Sequence, residues 1–313
     1  MGRKLIYNLD GSVLDLDILK EGEKLGKAPC IGVLNKSEVE KWNVSLGIND
    51  RILEECLNGS VSKFESHDGF DYVSLVIPDK EDLLGKGSRI SIYFRINLLI
   101  FICDEVEDYS LLHKTIQKIE MKEIKNLSLE RVLYEFFDLL TVGDSMYLEN
   151  LEQEIAELEE ALITSEKKDY AKEIIRLRKR LLVLKRYYEQ LFDLAEAMEE
   201  NENELLSRHI IRYFHILTNR INRLSDAVSN LRDYVSQVRE AYQTEVDINQ
   251  NIIMRLFTVI TAIFLPLTLL VGWYGMNFPM PEYRWAYGYP VVVIISIVVA
   301  LLSIIYFKKH KWF

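Results

Sequence analysis

Between Asp144 and Leu265 the chain contains no glycine and no proline. Both residues disfavour helix interiors, so their absence over so long a stretch excludes a turn-rich fold there and predicts long helices. Cysteine is also scarce. Cys30, Cys56 and Cys103 lack metal or redox spacing, which excludes a disulfide framework and fits a reducing cytosol. Basic charge is outnumbered, with 38 Lys and Arg against 48 Asp and Glu for a net charge of −10. That balance argues against nucleic acid as a partner and is compatible with attracting cations, although a solvated acidic surface accounts for most of these carboxylates. Residues 22–28 (GEKLGKA) are one residue short of a phosphate loop and lack its Ser or Thr, so no nucleotide partner follows. His209 and His215 are six apart and do not share a helix face. His67 beside Asp68 reads as a loop feature. No nucleophile–base pair stands out, so the chain reads as no enzyme and without an organic cofactor. Met1–Asp10 has no apolar core of the kind a signal peptide needs.

What is present divides the chain sharply. The mean hydropathy of −0.00 averages two unlike regions. Residues 1–250 are strongly charged, whereas residues 252–307 carry only Arg255, Glu282 and Arg284. Two apolar runs, Ile252–Trp273 and Pro290–Phe307, approach the ~20 residues that a membrane helix needs. Lys308, Lys309 and Lys311 follow the second run and Arg255 opens the first. Basic residues stay on the cytoplasmic side, so both termini are expected inside the plasma membrane and residues 274–289 outside it.

Residues 1–104 read as a mixed domain. Strand-like runs are Lys4–Leu9, Cys30–Leu34, Tyr72–Ile77, Ile90–Phe94 and Leu98–Cys103, the last two joined as a hairpin, with short helices at Ser37–Val44 and Asp50–Leu57. Farther on, apolar residues recur at spacings of three and four. The first set runs from Leu148 to Leu162, the second from Ile174 to Leu191, and the third from Ile210 through Phe214, Leu217, Ile221, Leu224, Val228, Leu231, Val235 and Val238 to Tyr242. This is coiled-coil-like patterning. Polar breaks at Ser165–Asp169 and Glu199–Glu204 divide it into three helices, the first two forming a hairpin. The expected fold class is α+β: a cytoplasmic α/β domain (1–104), a helical segment with an antiparallel hairpin (105–204), and a stalk helix (205–273) continuous with the first span (252–273). An outer loop (274–289), a second span (290–307) and a basic tail (308–313) complete it. The stalk would be on the order of 100 Å long at 1.5 Å per residue. It reads either as a lever that carries cytoplasmic movement into the bilayer or as a rigid stalk.

At helical spacing the first span presents one stripe: Asn251, Met254, Thr258, Thr261, Leu265, Thr268, Gly272 and Gly275. Small and hydroxyl residues allow close helix packing, and in an oligomer they can equally line a pore. Spacing alone leans slightly to packing. Asn277, just past the stripe, shifts the balance. Polar groups beside an apolar core are costly unless used, and Mg2+ gives up its water reluctantly. A ring of amides can hold a still-hydrated ion through its water shell, whereas an Asn here can also serve simply as a helix C-cap.

Tyr274-Gly275-Met276-Asn277-Phe278, Met280-Pro281-Glu282, Trp285, Gly288-Tyr289-Pro290 and the tail Lys311-Trp312-Phe313 resemble the CorA family of magnesium/cobalt transporters, whose signature is the Gly-Met-Asn tripeptide. The dense similarity covers about residues 249–313; the rest matches in architecture, and Phe64-Glu65 with Tyr72-Val73 is similar to that family's N-terminal domain. The resemblance implies a homopentamer in the lipid bilayer with five copies of the first span around a pore. Gly275, Met276 and Asn277 would form its outer selectivity entrance, and Thr268 and Leu265 would line it. Met254 and Phe257 would form an apolar constriction, where spacing gives Thr258 instead, with Asn251 at the inner end. Glu282 would gather cations outside, and Lys308, Lys309 and Lys311 would ring the inner mouth. It also implies Mg2+ as transported and regulatory ion, sensed at carboxylates between cytoplasmic domains. Asp79, with Glu81 and Asp82 nearby, matches one such position; Ile216 stands where its acidic partner is expected. An ordinary turn carboxylate is the alternative for Asp79. The function expected is influx of divalent cations (Mg2+, with Co2+ and Ni2+) gated by intracellular Mg2+. A zinc transporter of the related ZntB branch and a membrane-anchored signalling protein are the alternatives.

Overall fold

The structure is a computed structural model that describes residues 5–8, 13–14, 28–59, 61–104, 110–121, 123–124, 127–163, 170–278, 280–310 and 312. It divides into two compact units, Met1–Val238 and Arg239–Phe313.

The first unit is built on a seven-stranded sheet in the order β2-β1-β3-β7-β6-β5-β4. Its strands are β1 (Leu5–Asn8), β2 (Val13–Leu14), β3 (Cys30–Asn35), β4 (Lys63–His67), β5 (Phe70–Ile77), β6 (Ser88–Arg95) and β7 (Leu98–Cys103). Only β3 and β7 pair in parallel; the other neighbours are antiparallel. Every residue of β7 is buried, as befits a strand covered on both faces. On one face Leu98, Ile100 and Ile102 join Val39, Trp42, Ile52 and Cys56 of α1 (Lys36–Leu46) and α2 (Asp50–Asn58). On the other, the Phe101 ring meets Phe136 at 5.0 Å. Burial pushes the Cys56 thiol up to about 11, so it remains a protonated core residue.

Local chemistry fixes the element boundaries. Asn35 accepts the Glu38 amide at 2.9 Å while the Glu38 carboxylate accepts the Asn35 N–H, a reciprocal cap that starts α1. Gly47, at φ +72°, ends it in the left-handed region that favours glycine. Arg95 pairs with Leu98, so Ile96 and Asn97 form the two-residue turn of the expected hairpin. Strand β4 was not expected. Its sequence, KFESH, has little β signal because it is the edge strand, half-buried along its length, where polar residues are tolerated. His67 closes β4, with Nε2 3.0 Å from the Glu65 carboxylate and its ring stacked on Phe70. The ends of the expected strand Lys4–Leu9, residues 22–27 of the GEKLGKA stretch and the break at 165–169 lie outside the described residues.

The helical part comprises α3 (Ser110–Glu120), α4 (Leu129–Thr141), α5 (Asp144–Ile163), α6 (Tyr170–Glu200) and α7 (Arg208–Tyr274). The three expected apolar sets are buried throughout, apart from Leu158 and Tyr242, which are half-buried. Two of the glutamates of α5 reach neighbouring helices. Glu154 accepts Arg180 of α6 at 2.7 Å and Glu159 accepts the Tyr234 hydroxyl of α7 at 2.6 Å. The connection between α6 and α7 is tied down. Asn203 donates to Asp71 at 2.7 Å and to Ser66 at 2.9 Å, and Ser207 donates to Glu130. Asp71 is buried there, and desolvation holds its carboxyl above the usual range.

Helix α7 runs for 67 residues and shares its length between the two units. It starts at Arg208 rather than Leu205 and continues past Pro266 to Tyr274. Pro266 has no N–H, so the Ala262 carbonyl loses its helical donor. A four-residue 3-10 helix (Pro281–Arg284) and α8 (Gly288–Lys309) complete the second unit. Pro290 falls in the first turn of α8, where a missing N–H costs nothing. The mean hydropathy of the most apolar window is 2.2 in α7 and 2.8 in α8, so both are long and apolar enough to cross a membrane.

Candidate ion-conducting face and cytoplasmic carboxylates

All eight residues of the stripe read from spacing (Asn251, Met254, Thr258, Thr261, Leu265, Thr268, Gly272 and Gly275) are exposed on the isolated chain. Phe257, next to Thr258, is exposed as well. The partly covered residues of the span are Ala262, Ile263, Pro266, Leu267, Leu270 and Tyr274, with Val259 buried. At 100° per residue the two sets lie about 150° apart around the helix. The chain therefore covers one face of its first span and leaves the small, hydroxyl-bearing face open. Leu265, Thr268, Gly272 and Met276 border a concavity of about 660 Å3 on that open face. A second cavity of about 770 Å3 lies on the other side, between Leu270 and Tyr274 of α7 and Trp285, Tyr289 and Val292.

Two of the hydroxyls on the stripe are oriented by their own helix. Thr258 donates to the Met254 carbonyl and Thr261 to the Phe257 carbonyl, both at 2.8 Å. At the outer end, Gly275 ends the helix with its N–H on the Val271 carbonyl at 2.8 Å. A Cβ on Gly275 would stand 2.9 Å from that same oxygen, closer than side chains tolerate, whereas a Cβ on Gly272 would meet nothing within 4 Å. Asn277 lies beyond the helix, exposed, with no hydrogen bond recorded for its amide among the described residues. The helix closes through the Gly275 N–H, so the closing bond is made by that glycine and not by Asn277. Asn251 is exposed at the other end of the stripe, and Lys308 and Lys309 form the last turn of α8. Lys311 and the side chain of Glu282 lie outside the described residues.

Asp79 accepts the Glu81 amide at 2.9 Å, so its carboxylate closes a local turn. Beside it, Lys80 pairs with the fully buried Asp144, whose second oxygen accepts the Tyr188 hydroxyl at 2.7 Å. The burial of Asp144 escaped sequence reasoning, since nothing near residue 144 points to Lys80 or Tyr188. Burial and the Asp144 charge hold the Tyr188 hydroxyl far above its ordinary value, so it stays a donor. Ile216 is more than half exposed on α7, and His215, one residue before it, meets Glu199 at 2.9 Å. Among the described residues no three His, Cys, Asp or Glu side chains converge as a metal site.

Residues 33–309 match the model of a family described as CorA-like Mg2+ transporter protein. The cobalt/magnesium transport protein CorA of Thermotoga maritima is 27% identical over 288 residues, covering 90% of this chain and 81% of that protein. Among solved structures, the complete CorA magnesium transporter of Methanocaldococcus jannaschii superposes with a TM-score of 0.81 at 22% identity, over 100% of both chains. The ZntB cytoplasmic domain of Vibrio parahaemolyticus superposes with a TM-score of 0.64 at 14% identity, over 79% of this chain and 99% of that domain. At these identities the two superpositions speak for the fold.

Proposed function

Because the chain belongs to the CorA-like Mg2+ transporter protein family, we propose that it carries divalent cations, Mg2+ and Co2+ foremost, across a membrane. It is a membrane protein and not an enzyme. The observation that carries this reading is the exposed Asn277, just past the end of an apolar helix whose hydroxyl-bearing face is left open on the isolated chain. Neither span holds an Asp or Glu. An ion meeting amides, hydroxyls and carbonyls alone keeps its water, which suits Mg2+.

The finer reading is a homopentamer in the plasma membrane with both termini in the cytoplasm. Five copies of α7 surround the pore. Gly275, Met276 and Asn277 form its entrance, and Glu282 attracts cations outside. Thr268, Leu265, Thr261 and Thr258 line the passage together with Gly272. Met254 and Phe257 form a constriction that closes by dewetting, Asn251 marks the inner end, and Lys308, Lys309 and Lys311 ring the mouth. Mg2+, Co2+ and Ni2+ enter down the electrochemical gradient, which supplies about 4.6 kcal/mol per divalent ion at 100 mV. Intracellular Mg2+ acting at Asp79 between subunits closes the pore. The loop Met280-Pro281-Glu282 with Trp285 favours Mg2+ over the zinc alternative, and competition by Zn2+ separates the two.

The test is Mg2+ flux into liposomes, with and without internal Mg2+, for wild type and Asn277→Ala. Wild type is expected to conduct and to slow when internal Mg2+ is present. Asn277→Ala is expected to assemble normally and lose uptake. Normal Mg2+ uptake by the assembled variant would sink the role of Asn277, and no flux in wild type would sink the transporter reading.

A further inference from the structure

Helix α6 carries a second stripe opposite its buried seam. Ile175, Lys179, Leu182, Arg186, Glu189 and Asp193 follow one another at steps of four, three, four, three and four, and all six are exposed. Those steps keep them on one face of a helix. At 100° per residue that face lies about 150° from the seam formed by Ile174, Leu177, Leu181 and Leu184. Ile175 stands 51% exposed and Leu182 48%. One exposed leucine says little. Two apolar side chains a heptad apart, with the bases Lys179 and Arg186 between and after them and the acids Glu189 and Asp193 beyond, have the pattern of a helix that lies in a groove.

The first unit holds such a groove. A hollow of about 580 Å3 runs between α5 and α7. Leu148 of α5 with Leu224, Ala227 and Leu231 of α7 form its floor, a four-residue hole with a small side chain at its centre. Glu149 and Glu152 stand exposed on the α5 rim and Arg223 on the α7 rim, while Arg220 is committed to Asp138 at 2.7 Å. Heights along the helices follow from the bonds between them. Tyr188 of α6 meets Asp144 of α5 at 2.7 Å and Arg180 meets Glu154 at 2.7 Å, so Glu149 and Glu152 lie level with residues 180–188 of α6. Lys185 meets Ser225 of α7 at 2.9 Å, so Ala227 lies near the height of Leu182, and Arg223 lies toward Glu189.

The stripe faces away from its own α5 and α7, so its occupant is another molecule. We propose that the outer stripe of α6 docks in the α5–α7 groove of a second copy of this chain, a head-to-tail contact repeated around a ring. A rotational ring keeps its copies level. Leu182 of one copy then sits over Ala227 of the next, with Lys179 and Arg186 against Glu152 and Glu149, and Glu189 against Arg223. Charge complementarity fixes this register and opposes a slipped one. The inference rests on the proposed ring of copies and names the surfaces that close it in the first unit.

The test co-expresses two full-length chains with different tags, one carrying Arg186→Cys and the other Glu149→Cys. The three native cysteines are buried, so they give little background. Mild oxidation of the purified oligomer is expected to join the two tags through a disulfide. Asn150→Cys in place of Glu149→Cys, one residue on and 100° around the helix, is expected to lower the yield about tenfold, since its sulfur points away from the groove. A second pair, Leu182→Cys with Ala227→Cys, reads the charges. Lys179→Glu with Arg186→Glu in the first chain is expected to cut its yield about tenfold, because like charges then face each other. Glu149→Lys with Glu152→Lys in the second chain is expected to restore it. An oligomer that forms without the disulfide, equal yield at position 150, or a charge reversal that the reciprocal change does not rescue overturns the inference and leaves the ring itself standing. A chain that stays monomeric overturns both.

Discussion

The two units bury their apolar residues by opposite rules. In Met1–Val238 the large side chains are hidden: Phe136, Phe137, Phe214, Tyr188 and Leu181 are all below 1% exposure. In Arg239–Phe313 only Val259 and Phe307 are buried among the described residues, while Phe264, Leu265, Leu269, Val271, Leu302 and Ile305 stand about 60% exposed or more. The first unit satisfies its apolar groups with its own chain, and the second leaves them exposed on helices long and apolar enough to cross a membrane. What is informative therefore differs between them. In the first it is a buried polar group, and in the second it is a polar face on an apolar helix.

The largest effect expected on this contrast comes from Asp144→Ala. It strands Lys80 and the buried Tyr188 hydroxyl, and loss of one partner of a buried pair costs about 3–5 kcal/mol. Chemical unfolding of the full chain measures it, and a cost under 1 kcal/mol would break the account of this network. Leu181→Ala, in the fully buried seam of α6, is expected to cost about 2–5 kcal/mol by the same measurement. Its counterpart in the second unit, Leu269→Ala, is expected to cost under about 0.5 kcal/mol, since the side chain is exposed. Equal costs at 181 and 269 would erase the contrast between the units.

Two glycines sharpen it further. Gly275→Ala drives a Cβ against the Val271 carbonyl and is expected to cut Mg2+ flux at least tenfold without lowering the yield of folded protein. Gly272→Ala meets nothing within its own chain. Any loss of assembly or flux in that variant reads the approach of a neighbouring copy, and wild-type behaviour denies it. The smallest effect is one of pH. The folded carboxyl of Asp71 titrates above its unfolded value, so the native state holds more protons between the two. Stability from this group thus falls as pH rises through that window and is regained as pH drops. Asp71→Asn is expected to flatten the fall of unfolding free energy as pH rises above the ordinary carboxylate range. An unchanged slope refutes it.

Legibility followed periodicity. The seams of α5, α6 and α7 were readable because burial repeats every three or four residues, and the chain hid the residues that the repeat names. Strands β3, β6 and β7 were readable as apolar runs. Strand β4 was not, because an edge strand needs no apolar run; α3 and α4 fall inside the expected helical segment, but their bounds were not readable because polar connections interrupt it without a long repeat. The open face of the first span was readable as a stripe, since a helix sorts its faces by spacing alone. The Asp144 network was hidden because it joins residues far apart in sequence, Lys80 with Asp144 and Tyr188. The partners of Glu154 and Glu159 were hidden for the same reason, since they sit on other helices.

The threonines of the first span carry one more consequence. Each hydroxyl proton of Thr258 and Thr261 is spent on a carbonyl of its own helix. What such an oxygen turns outward is lone-pair density. A hydrated cation presents its water hydrogens outward and finds acceptors there. A chloride ion needs donors and finds none on these two side chains. On the pore reading proposed above, this face would favour a cation before size or charge density is consulted, without a single formal charge.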